Sequence, residues 1–123
     1  MNLVSMIDHA VLHPTAATDD LIRECQLAHS LRVASVCVKP YMVLHASELL
    51  KDSLVAVGTV IGFPQGGNTS TVKAFEAQTA CEDGASELDM VINIGMALQG
   101  DWDYVSQDIE AVLNIANENK VLL

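Results

Sequence analysis

The sequence predicts an α/β chain built on a parallel sheet, and three observations predict it. Short runs of branched apolar residues alternate with stretches of helical periodicity. Each apolar run is closed by proline or glycine. One helical stretch separates each run from the next, so every strand-to-strand connection is a crossover, which requires a parallel sheet with right-handed connections. An open doubly wound sheet and a (β/α)8 barrel share this rhythm, and the rhythm alone does not separate them.

Leu3-Val4-Ser5-Met6-Ile7 forms an amphipathic turn, and Asp8-His9-Ala10-Val11-Leu12-His13 runs on to Pro14, which enforces an extended exit. Residues 1–14 are expected to be a packed lead-in. Thr18 ahead of Asp19 and Asp20 is a cap followed by carboxylates at a helix start, and Leu21, Ile22, Cys25, Ala28 and Leu31 recur at helical spacing. Residues 34–39 are the first expected strand, ended by Pro40, and parity places Ser35, Cys37 and Lys39 on one side. Residues 41–51 are helical, with Met42, Ala46, Leu49 and Leu50 on one stripe.

A longer apolar strand covers residues 54–63 and is broken by Pro64-Gln65-Gly66-Gly67-Asn68. That glycine-rich break matches neither common phosphate-binding fingerprint and reads as a plain strand-to-helix loop. A helix over about residues 69–83 follows, stopped by Gly84. Residues 86–93 form the next strand, bounded by Asp83-Gly84 and Gly95, with Leu88, Met90 and Ile92 on one face and Asp89, Val91 and Asn93 on the other. A buried Asp89 must protonate or be held by a cation or by donors, and a structural cap, a lysine pair and a catalytic acid–base group all satisfy that requirement. Asp101 precedes a helix whose apolar face is Trp102, Val105, Ile109, Val112, Leu113 and Ala116, and Lys120-Val121-Leu122-Leu123 opens a fourth strand.

The 123 residues, half of them apolar, are enough for one domain with a real core. No segment approaches the roughly 18 uninterrupted apolar residues of a membrane span, and the N-terminus lacks a secretory leader, so a cytoplasmic location is expected. Cys25, Cys37 and Cys81 are an odd number without CxxC spacing and suggest neither a disulfide framework nor a zinc site. Asp8, His9 and His13 lack a further ligand at zinc-like spacing, and no metal or cofactor is expected. A formal charge of −10, with four lysines and two arginines, disfavours nucleic acid and anionic membranes as partners; a small anionic substrate would need local basic groups.

Six motifs occur in order: Asp8-His9; Ala34-Ser35-Val36-Cys37-Val38-Lys39-Pro40; Thr59-Val60-Ile61-Gly62-Phe63-Pro64; Lys73-Ala74-Phe75-Glu76-Ala77; Glu82-Asp83-Gly84-Ala85; and Glu87-Leu88-Asp89-Met90-Val91-Ile92-Asn93. In this order and spacing the chain resembles deoxyribose-phosphate aldolase from Ile7 to Leu123. The resemblance implies a TIM barrel that reversibly cleaves 2-deoxy-D-ribose 5-phosphate to glyceraldehyde 3-phosphate and acetaldehyde, as a metal-free class I aldolase working through a lysine Schiff base. It implies that Asp89 is the buried relay aspartate of the lumen, that Cys37 lies near the aldehyde and that Asp8 lies near the lysines. Cys37, Asp8 and Lys39 are the expected substrate-binding residues, Lys39 because it is the one lysine whose strand parity aims it at the lumen.

Ala10 stands where many relatives carry threonine, and His13 where many carry lysine. The family's Schiff-base lysine, the second lysine that perturbs it and its phosphate loops belong to later strands. Such a barrel takes about 250 residues, so residues 1–123 are expected to be its N-terminal half, self-associating through the open half-barrel. Two readings stand beside this one: a non-catalytic α/β interaction module, and a nucleotide-binding doubly wound sheet, which the absence of GxGxxG and of a P-loop disfavours.

Overall fold

A computed structural model describes residues 3–123. Four strands, β1 (Asp8–Val11), β2 (Ser35–Val38), β3 (Ala56–Ile61) and β4 (Glu87–Met90), alternate with helices α1 (Thr18–Leu31), α2 (Val43–Leu49) and α3 (Ser70–Glu82). Two more helices, α4 (Ile94–Gln99) and α5 (Trp102–Asn119), follow β4, and short 3-10 turns cover Leu3–Met6 and Pro40–Met42. All three strand pairs are parallel and the sheet order is β1-β2-β3-β4. A doubly wound sheet reverses its strand order at a switch point, whereas a barrel adds each strand beside the last, so this order is that of a half-barrel.

Parity divides the strands into two faces. Val11, Val36, Val38, Val57, Ile61 and Leu88 enter the core with Leu21, Cys25 and Ala28 of α1, Val43 and Ala46 of α2, Ala77 and Ala80 of α3, and Val112 and Ala116 of α5. Burying one such branched side chain stabilises by about 1.5–3 kcal/mol, so the helix-facing side holds the sheet together. The small alanines let the helices lie close to it. The register puts Asp8, Ser35, Cys37, Gly58, Val60, Glu87 and Asp89 on the opposite, open face.

The structure departs from the sequence reading in several places. The expected lead-in contains a strand, β1, whose hydrogen-bond partners come from β2; Leu3, Met6 and Ile7 are exposed, and residues 1–2 lie outside the described residues. The strand expected first is therefore the second. The terminal segment expected as a fourth strand begins a fifth position, through a parallel bridge between Leu122 and Glu87. Thr18 is the first helical residue of α1 and not its cap; Asp20 instead reaches back to accept from the Ala17 N–H at 2.9 Å.

The strand expected over residues 86–93 ends at Met90, because Asn93 caps α4 by accepting from the Met96 N–H at 3.1 Å. Val91 and Asn93 thus do not continue the face of Asp89. Trp102, expected in the apolar face of α5, is 65% exposed because it sits on the first turn, beside the Asp101 cap. The buried stripe of α5 is Val105, Asp108, Val112 and Ala116, with a carboxylate at one of its apolar positions.

Candidate functional site

The open face is polar at its floor. Ser35 and Cys37 are buried there, and the Ser35 hydroxyl donates to Asp8 Oδ1 at 2.7 Å across the β1–β2 pair. Gly58 separates Cys37 from Glu87 in the register and brings no side chain. A methyl group built on it would lie 3.6 Å from Glu87 Cβ and 3.8 Å from Cys37 Cα, so a larger residue would fill the floor of the face. Asp8, Glu87 and Asp89 therefore approach Cys37 from both flanks, and all three carboxylates act on its thiol.

Burial first, then a hydrogen bond to the Asp89 carboxylate, pushes the Cys37 thiol up to about 12, with Asp8 and Glu87 adding to the effect. Cys37 is thus a neutral donor at physiological pH and not a thiolate nucleophile. Burial also raises the Glu87 carboxyl above its ordinary value; the Ser35 hydroxyl pulls it part of the way back, and Asp8 and Asp89 push it up further.

A carboxyl whose folded-state pKa exceeds its unfolded value holds its proton more tightly in the fold. Its stabilising contribution is complete below the unfolded value of about 4.5 and is lost as pH rises through the raised value. Glu87→Gln, neutral throughout, is expected to raise the thermal midpoint at pH 7 and to leave it unchanged at pH 4. Calorimetry giving the same change at both pH values would refute this.

Asp89 lies on the expected face near the C-terminal end of β4, but it is exposed, not buried. The four strands leave this face uncovered, so the carboxylate meets water. Lys39 lies just past β2 and donates from its ammonium to the carbonyls of His13 (3.1 Å), Pro14 (3.4 Å) and Ala16 (2.7 Å), with the Tyr41 ring 5.4 Å away. An ammonium has three N–H donors. All three bind the loop between β1 and α1, so Lys39 ties that loop to the end of β2. His9 turns to the other side and pairs with Glu24 at 2.8 Å, while His13 Nδ1 meets the Thr15 hydroxyl at 2.8 Å.

A cavity of about 730 Å³ lies at the opposite end of the strands, between His29, Arg32, Asp52 and Ser53. None of the expected site residues lines it. A smaller depression of about 330 Å³ runs along β4 and includes Asp89, Met90 and Ile92. In barrels of this kind chemistry sits at the C-terminal ends of the strands, which favours the Asp89 end over the larger cavity.

Sequence reasoning missed the buried ion pair between Lys73 of α3 and Asp108 of α5, at 2.5 Å and with both side chains fully buried. Lys73 Nζ also donates to the Val91 carbonyl at 2.9 Å. The signal was present in the pattern: each charge occupies a position of its helix's buried stripe, Lys73 with Ala77 and Ala80, Asp108 with Val105 and Val112. No helix among the described residues is long and apolar enough to cross a membrane.

A family profile, that of the DeoC/LacD family aldolase, matches residues 3–123. The chain is 47% identical over 121 residues to the deoxyribose-phosphate aldolase of Staphylococcus carnosus, covering 98% of this chain and 55% of that protein. It is 49% identical over 120 residues to the deoxyribose-phosphate aldolase of Thermococcus gammatolerans, with coverages of 96% and 53%. It superposes on the tetrameric deoxyribose phosphate aldolase from Aeropyrum pernix with a TM-score of 0.88 at 29% identity, over 97% of this chain and 49% of that one. The chain thus spans about half the length of the curated relatives it matches.

Proposed function

As the chain belongs to the DeoC/LacD family of aldolases, we propose that residues 1–123 are the N-terminal half of a deoxyribose-phosphate aldolase barrel and carry the proton-relay side of its site. The reaction is the reversible class I cleavage of 2-deoxy-D-ribose 5-phosphate to glyceraldehyde 3-phosphate and acetaldehyde. The observation that carries this reading is the open face itself. Asp89 stands near the C-terminal end of β4, beside a neutral Cys37 and over a floor formed by Ser35 and Asp8.

In class I chemistry a lysine amine condenses with the substrate carbonyl. The C–C bonding electrons then flow into the iminium to give an enamine, which must be protonated before the imine is hydrolysed. Asp89 is the group of this chain suited to move that proton, and Cys37 and Asp8 line the pocket. The nucleophilic lysine comes from another segment. Lys39 is bound to loop carbonyls, Lys73 is paired in the core, and Lys51 and Lys120 follow the C-terminal ends of helices α2 and α5. A cytoplasmic setting suits the three free thiols.

The test supplies the C-terminal half of the Staphylococcus carnosus relative as a separate chain. Cleavage of deoxyribose 5-phosphate should appear only in the mixture, and borohydride with acetaldehyde should leave the mass of the isolated chain unchanged. A stable complex without cleavage, or a stoichiometric adduct on Lys39, would overturn the reading.

A second reading rests on the edge of β1, the edge of β4 that Leu122 bridges only at Glu87, and the uncovered face: copies of the chain associate through them. Sedimentation at about tens of micromolar should show a dimer. Because Glu87, whose carboxyl burial holds above its ordinary value, would face its equivalent, that dimer should be tighter at pH 5 than at pH 8. A folded monomer at both pH values removes this reading.

A further inference from the structure

We propose that Lys73 is a positioning residue: its ammonium, anchored by Asp108 and bonded to the Val91 carbonyl, sets the exit of β4 and thereby the placement of Asp89 on the open face. Its bearing on catalysis rests on the aldolase reading above, but the placement itself does not.

The argument begins with cost. A buried ion pair is seldom more stabilising than apolar residues of the same volume, so stability alone does not account for Lys73 and Asp108 within an apolar stripe. An apolar side chain, however, cannot donate to a carbonyl. Val91 lies two residues beyond Asp89, and both of its backbone groups are held: its N–H donates to the Ile61 carbonyl at 2.9 Å and its carbonyl accepts from Lys73 at 2.9 Å.

The same helix fixes the neighbouring exit. Glu76, one turn along α3 from Lys73, accepts from the Gly62 N–H at 2.8 Å, where β3 ends. Gly62 has a φ of +67°, and a methyl group built on it would lie 2.8 Å from Lys73 Cε. Only glycine fits beneath the lysine stem in that conformation. Gly66 closes the arrangement from above: a methyl group built on it would fall 1.8 Å from the Ile92 carbonyl oxygen, so the loop after β3 lies directly on the loop after β4. Gly62, Lys73 and Glu76, which belong to the sequence motifs quoted above, are thus one device that aligns the ends of β3 and β4.

The test uses the isolated chain and needs no substrate. In the double variant Lys73→Met with Asp108→Leu, the ion pair becomes an apolar contact of similar volume while the bond to Val91 is lost. Cys37, held neutral in part by Asp89 beside it, reports where Asp89 sits. Its alkylation by iodoacetamide at pH 8, located by mass mapping, should rise roughly three- to tenfold as thiolate becomes more accessible. Val112→Ala, which loosens the packing of α5 without touching Val91, should leave the Cys37 rate unchanged, and Asp89→Asn should raise it. A folded double variant with the wild-type rate, or a rise no larger than that of Val112→Ala, overturns the proposal. Should the double variant not fold, NMR of the labelled wild-type chain decides: a coupling across the hydrogen bond between the Lys73 ammonium and the Val91 carbonyl carbon supports the proposal, and its absence overturns it.

Discussion

Lys73→Met alone is expected to destabilise the chain by about 3–5 kcal/mol, because it leaves Asp108 buried with no cation beside it. Asp108 is fully buried, and its Oδ1 already accepts no hydrogen bond. Its Oδ2 would lose the one partner recorded for it. A domain of this size is stable by roughly 5–15 kcal/mol, so the loss would bring it close to unfolding at ordinary temperature. Urea denaturation followed by circular dichroism measures it. Adding Asp108→Leu should restore most of the loss, since an apolar pair of similar volume is about as stable as the ion pair it replaces. A single variant as stable as the parent would show that the ion pair holds nothing in place.

In the reconstituted barrel, Asp89→Asn is expected to lower the rate of deoxyribose 5-phosphate cleavage by about 10²–10⁴-fold, the usual contribution of a general acid–base group. The amide keeps the shape of the carboxylate but cannot carry the proton. Because Asp89 is exposed on the open face, the same change should alter stability by no more than about 0.5 kcal/mol. That separation makes the measurement decisive: a rate indifferent to Asp89→Asn in a fully assembled enzyme removes Asp89 from the relay and leaves it a surface residue.

The two effects differ because the two carboxylates differ in surroundings, and the sequence ranked them the other way. Asp89 sits in an apolar run, which suggested a buried charge, yet the strand around it is only four residues long and one of its faces is uncovered. Asp108 sits in a helix with polar neighbours and drew no attention, yet it is the carboxylate that the core encloses. Lys39 shows the same limit. Parity was read as aiming it at the lumen, yet it lies past the end of β2, and the carbonyls that hold it come from a loop more than twenty residues earlier in the chain.

The sequence by itself determined the alternation of strands and crossover helices from α1 to β4, the parallel pairing and, for β2 and β4, the division into a core face and an open face. Those features follow from local periodicity and from crossovers that every α/β chain must make. Helices α1 and α5 were legible because their apolar stripes are long, α3 because the glycine-rich break and Gly84 bound it, and β3 because its apolar run is long. Strand β1 was not legible, since four residues bearing Asp8 and His9 become a strand only when β2 supplies the hydrogen bonds. Tertiary structure alone decided which charges are paired, which are buried and which meet solvent, because a charge's environment is set by whatever segment packs over it, and in this fold those segments lie far away along the chain: Asp108 over Lys73, and the loop after β1 over Lys39.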